Sequence, residues 1–229
     1  MRPDPFAWTP HPEAVVALAL LVVAYALIAG RRGRPWLFAA AALLLLATAI
    51  TPLESLTYHL LTAHLLQNVV LAEWAPALLV AALPPTLALR VHPALALSLW
   101  LGNYVAWHVP PVYDAALRHP DTLLHLEHAT YLATGVLLWW PVFHGGLSYG
   151  ARAGYLLLAF VLASPIGLLL TFLPDPAYDF YAGGFEPWNL SALTDQRIAG
   201  VTMAAEQGVV FFALFLRAFA RFLSEEEMV

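Results

Sequence analysis

The side chains best equipped for chemistry here are imidazoles set within apolar runs. The segment 52–84 is long enough to cross a bilayer, yet it carries His59, His64, Gln67, Asn68 and Glu73. Polar groups in hydrocarbon are costly and need partners from neighbouring helices, an ion or water. On a helix, His64, Gln67 and Asn68 stand at i, i+3 and i+4 and share a face, with His59 near its edge. His108 closes a later apolar run, and His125 and His128 open the next at i, i+3, with Glu127 between them. Imidazole suits copper, zinc and iron, and a thioether such as Met203 favours Cu(I). A ligating imidazole commonly donates its second ring N–H to a carboxylate or carbonyl, a part open to Glu127 or Gln67. Asn68 and Asp114 are further candidates beside such a site. A structural reading stands next to this one: buried His bonding between helices, interfacial His resting at headgroup level.

The elements that must position these groups are membrane helices. The chain is 61% hydrophobic and 11% charged, against roughly 25% charged in a soluble domain. Its hydropathy predicts an all-α polytopic membrane protein, a single domain over residues 1–229 with seven transmembrane helices. The expected spans are about 13–30, 36–51, 53–83, 94–109, 122–143, 152–173 and 195–222. Pro76 and Pro165 are expected to kink the third and sixth. Arginine sets the orientation. With the turn holding Arg31, Arg32 and Arg34 on the cytoplasmic side, Arg90, Arg152, Arg217 and Arg221 join them, leaving Arg2, Arg118 and Arg197 outside. The N-terminus is then outside and the C-terminus cytoplasmic, in the plasma membrane of a bacterium. The leader is not expected to be a cleaved signal, because its charge order is reversed.

That orientation gathers the histidines. His11, His59, His64, His108, His119, His125 and His128 fall toward the outer face, against His92 and His144 inside. At a rise of ~1.5 Å per residue, His64 lies roughly 15 Å and His128 roughly 9 Å below the start of its helix, so a shared outer-leaflet site is within reach. His11, His92, His119 and His144 read as loop or interfacial residues, and the aromatics of 178–188 as headgroup anchors.

Several chemistries drop out. The chain has no cysteine, which removes thiolate sites and disulfides, and no lysine, which removes a Schiff base. Ser164 and Ser191 have no nucleophile context, no phosphate loop is present, and the net charge of −5 gives no sign of nucleic-acid binding. Ligands without a substrate pocket point away from an enzyme. The open alternatives are a copper-binding site, a proton or metal-ion pathway through His64, Glu73, His128 and Glu206, bis-His haem ligation, and a scaffold without metal; zinc is a weaker fit than copper.

Ordered motifs then suggest a family. A-H-L-L-Q-N-V-V-L at 63–71, W-H-V-P-P-V-Y-D-A-A-L at 107–117, L-H-L-E-H-A-T-Y-L at 124–132, W-W-P-V at 139–142 and L-T-D-Q-R-I-A-G-V-T-M at 193–203 together resemble the CtaG family, assembly factors of caa3-type cytochrome c oxidase. The resemblance implies a seven-helix membrane protein that handles copper, Cu(I) or Cu(II), for the oxidase, with oxidase subunits as clients; separately, the sequence leaves a homo-oligomer open as one arrangement. It carries over the motif positions His64, His108, His125 and His128, with Gln67, Glu127, Asp195, Gln196 and Met203 beside them; a ligand role for them is our own expectation. The chain departs from the pattern at Asn68, where a second His is expected, and at Ala204, Ala205 and Glu206, in place of W-V-P.

Overall fold

Proline opens five of the helices: α1 (Pro12–Ala29), α2 (Pro35–Ile50), α3 (Pro52–Thr57), α6 (Pro93–Trp107) and α7 (Pro110–Arg118). Its fixed φ suits the first turn, where its missing N–H costs nothing. The other helices are α4 (Leu61–Val69), α5 (Ala75–Ala82), α8 (His125–Phe143), α9 (Tyr149–Phe172) and α10 (Ala192–Glu226). The computed structural model describes residues 3–8, 11–87 and 89–226, and among them the only pairing of β type is an isolated bridge between Phe185 and Leu190.

Among the described residues, four helical stretches are long and apolar enough to cross a membrane: Pro12–Arg32, Leu61–Ala82, Tyr149–Phe172 and Ala192–Glu225. α2 is apolar but only 16 residues long, α6 has 15 and α8 has 19. The third expected span is corrected in two ways. It is broken at 58–60, so that α3 stands apart from Leu61–Ala82, and His59 lies in the break rather than on the face of His64. Within Leu61–Ala82, α4 passes into α5 through a π-helical turn, Val70–Trp74, which carries Glu73 just before Pro76. Such turns insert one residue into the ladder and occur often at functional sites. α7 is an addition that hydropathy did not predict.

Small residues let the helices approach. A Cβ on Gly135 of α8 would collide with the carbonyl of Ala72 and with Pro76, so α8 lies directly on the π-turn backbone. A Cβ on Gly167 of α9 would meet the Gly200 carbonyl at 3.0 Å, and one on Gly200 would run into the Gly167 carbonyl and Thr171. Close backbone approach of this kind replaces the hydrophobic drive that lipid removes. α1 is peripheral, and only 6% of its apolar window is buried. Tyr25 stacks on Phe38 of α2 at 4.1 Å.

Contacts sort the helix termini into two ends. At one, Asp195 of α10 bonds the start of α4, and Tyr178, between α9 and α10, reaches the end of α6 at His108. At the other, Arg34 donates to the carbonyls of Ala81 and Ala82, closing the C-terminus of α5, and a ring nitrogen of His144 meets the Val80 carbonyl at 2.9 Å. The first end is rich in histidine and the second in arginine.

Candidate functional site

The histidine-rich end is organised around the N-terminus of α4. Asp195 accepts from the backbone N–H of Leu61 at 2.6 Å and of Thr62 at 3.2 Å, and from the Thr62 hydroxyl at 2.7 Å. A carboxylate from another helix thus caps α4, satisfying free N–H groups and complementing the helix dipole. This fixes the face of His64, one turn farther on.

His64 is fully buried and bonded on both ring nitrogens. Nδ1 lies 3.3 Å from the Tyr181 hydroxyl, and Nε2 lies 3.3 Å from Oε1 of Glu127 in α8. Tyr181 gives its own proton to the Thr57 carbonyl, so it accepts from His64. Asn68, one turn beyond His64, donates its amide to the same Glu127 oxygen at 2.8 Å. Because the amide N–H faces a carboxylate, Oδ1 points elsewhere and has no partner among the described residues. Glu127 Oε2 is also buried and unpartnered there.

His108, at the end of α6, is set differently. Its Nδ1 lies 2.8 Å from the Tyr104 carbonyl, which can only accept, so Nδ1 holds the proton and Nε2 the lone pair. That Nε2 is buried without a partner among the described residues. This is the arrangement of a ligating imidazole, one nitrogen oriented by a carbonyl and the other free. The rings of His64 and His108 both pack on Tyr113 of α7, with centroids 4.9 and 6.2 Å away, and the Tyr113 hydroxyl has no partner among the described residues. Tyr178 stacks on Tyr113 at 4.0 Å and donates to the His108 carbonyl at 3.2 Å. Burial pushes the Tyr178 phenol up, with the Glu127 and Asp114 carboxylates adding in the same direction, so it remains a donor.

The remaining expected residues divide by place. His125 and His128 line a separate cavity whose wall does not include His64, His108 or Glu127. His59 bonds the Pro3 carbonyl at 2.8 Å, and Met203 is buried in the same apolar core as Ala199 and Phe211. Gln67 donates to the Thr48 carbonyl and to Glu54. Asp114 accepts from the backbone N–H groups of Asp179 and Phe180, with Arg118 at 3.8 Å. Gln196 accepts from Ala177 N–H at 2.7 Å and donates to the carbonyls of Leu170 and Asp175. The polar groups of Asp114, Asp195 and Gln196 are thus engaged with backbone and neighbouring side chains, holding loops and helix ends together. Among the described residues, no three His, Cys, Asp or Glu side chains are arranged to hold a metal ion.

A family model described as "Cytochrome c oxidase caa3 assembly factor (Caa3_CtaG)" matches residues 15–95 and 89–225. The chain belongs to this family. The matched stretches of this Caa3_CtaG member include His64, His108, Glu127, His128 and the helix-capping Asp195. Comparison with curated proteins and with solved structures gives no match.

The sequence reading missed the phenols. Tyr113 and Tyr131, whose hydroxyl lies 3.5 Å from His108 Nδ1, stood inside the quoted motifs, and their place near His residues in those motifs was the available signal. The segment 178–188 is corrected more fully: Tyr178, Tyr181 and Phe185 are buried at 2–4% exposure, leaving Trp188 as its outward aromatic. Tyr178 and Tyr181 close over the site, and Phe185 packs with Leu60 and Ala63, so these three are not headgroup anchors.

Proposed function

We propose that this chain serves the making of a caa3-type cytochrome c oxidase by carrying copper as cargo at its histidine-rich end and passing it to an oxidase subunit. Membership of an oxidase assembly family supports the process. The observation that carries the copper reading is His108, whose buried Nε2 presents its lone pair while Nδ1 is held by the Tyr104 carbonyl. His64 lies against the same Tyr113 ring, and Glu127 supplies a free oxygen nearby. Since the described side chains are not gathered into a three-ligand group, uptake of the ion requires side-chain movement, most directly release of His64 from Glu127. The reading includes seven crossings of a bacterial plasma membrane, with the histidine-rich end outside.

The test is metal content. Purified protein loaded with Cu(I) is expected to bind a stoichiometric amount and to lose it in the His64→Ala, His108→Ala double variant. Cells carrying that variant are expected to make oxidase deficient in copper. Unchanged binding in the double variant rejects the site, and full oxidase assembly with no bound metal favours a scaffold.

A second reading rests on a polar chain that continues inward. Gln207 donates to Glu73 at 3.3 Å and to the Tyr104 hydroxyl at 3.0 Å, and Trp74 donates to Glu206. Tyr104 joins this chain to His108 through its carbonyl. Such a row of polar groups within apolar helices suits a proton path. Proton flux in liposomes that disappears in Glu73→Gln distinguishes it, and the absence of flux removes it.

A further inference from the structure

Between α1, α2, α3, α4 and α8 lies a cavity of about 530 Å³ that the copper site does not use. Its deeper wall is apolar, formed by Leu18, Leu21, Leu45, Leu71 and Leu132. Toward the histidine-rich end it carries Gln67, Glu54, His128 and His125. A volume between roughly 300 and 1,000 Å³, mostly apolar with a few convergent polar groups, is the form of a small-molecule site.

Two residues of this wall, Gln67 and His128, each hold a buried polar atom without a partner among the described residues, and these suggest what the occupant must offer. Gln67 is 2% exposed, and its amide nitrogen is committed to two acceptors, the Thr48 carbonyl and Glu54. The amide therefore cannot be turned round, and Oε1, an acceptor, has no partner among the described residues. His128 Nε2 is likewise buried and unpartnered there. A buried acceptor without a donor costs about 1–3 kcal/mol. The charged groups on the wall narrow the choice. Glu13, Glu54 and Asp121 line it, and no arginine among the described residues does. Three imidazoles, His11, His125 and His128, stand with them, His11 3.2 Å from Glu13; with no permanent cation among the described residues, the wall disfavours a phosphate or carboxylate head.

We propose that this cavity binds one neutral membrane amphiphile with a hydroxyl head, the hydroxyl donating to Gln67 Oε1 beside His128 and the apolar body lying along the leucines. A quinol ring and an aliphatic alcohol share this chemistry, and the test separates them. The proposal does not depend on copper.

Full-length protein in detergent is titrated with a decyl-substituted benzoquinol, the dimethyl ether of that quinol, 1-dodecanol, dodecylamine and phosphatidylglycerol, and binding is read by thermal shift and by equilibrium dialysis. A hydroxyl probe is expected to bind at least tenfold more tightly than the ether, and preference for the quinol or for dodecanol identifies the source. Gln67→Leu is expected to remove that tenfold preference. Because Gln67 also ties α2 to α3, Leu132→Trp provides a second variant, filling the cavity from α8 and abolishing binding. Equal binding of ether and hydroxyl, stronger binding of the amine or of phosphatidylglycerol, or undiminished binding in a folded Leu132→Trp protein would overturn the proposal.

Discussion

Glu127 binds two side chains from α4 with one of its oxygens, and the other has no partner among the described residues. Glu127→Ala strands the His64 nitrogen and the Asn68 amide in a buried setting, and the expected loss is about 1–3 kcal/mol per stranded group. Glu127→Gln keeps the shape and one acceptor, so it is expected to lose less; unfolding midpoints in detergent check the order. Tyr113 supplies the contrast. Its ring packs on His64, His108 and Tyr178, while its hydroxyl bonds nothing among the described residues. Tyr113→Phe is therefore expected to leave the unfolding midpoint within the scatter of a silent substitution, and any fall in copper binding in that variant belongs to the hydroxyl alone. A midpoint that drops with Tyr113→Phe shows that the hydroxyl has a structural partner after all.

At the scale of the element, the packing of α8 on the π-turn is the most exacting contact. Gly135→Val places branched carbon where the Ala72 carbonyl lies, and overpacking of this order costs about 1–3 kcal/mol. The expected result is loss of folded protein on extraction, with Gly154→Val, whose added Cβ meets nothing, unaffected. The cap on α4 gives a second prediction. Asp195→Ala removes three hydrogen bonds to Leu61 and Thr62, and a lost cap alone costs about 0.5–2 kcal/mol. Faster amide exchange in the first turn of α4, with α9 unchanged, is the expected signature. These contacts also show what was legible in the sequence. The apolar runs appeared because hydropathy is local, and His64 with Asn68 because helical spacing is local. The π-turn did not, since one inserted residue leaves no mark on composition, and α7 did not, being nine residues long and interrupted by Asp114 and Arg118. Asp195 was expected beside the metal site and not as a helix cap, because its partner, Leu61, lies 134 residues away and no spacing rule reaches it.

The whole molecule is polarised, and its orientation decides what the histidine-rich end can serve. Arg31, Arg32, Arg34, Arg90, Arg152, Arg217 and Arg221 lie toward one end, where Arg34 closes α5 and the last turns of α10 pass Gly150. Arg118 and Arg197 lie toward the other, beside Asp114 and the start of α10. If the excess of arginine marks the cytoplasmic side, as it does in most membrane proteins, His64 and His108 are expected outside. The chain has no cysteine, so a single introduced thiol reports its own side. Glu186→Cys places one in the exposed loop before α10, and Ser224→Cys places one near the far end of α10. In intact cells a membrane-impermeant maleimide is expected to label the first variant and to reach the second only after the membrane is opened. The reverse pattern puts the imidazoles on the cytoplasmic side and ends the case for delivering copper to an oxidase subunit from outside, while leaving family membership and the cavity's hydroxyl chemistry in place.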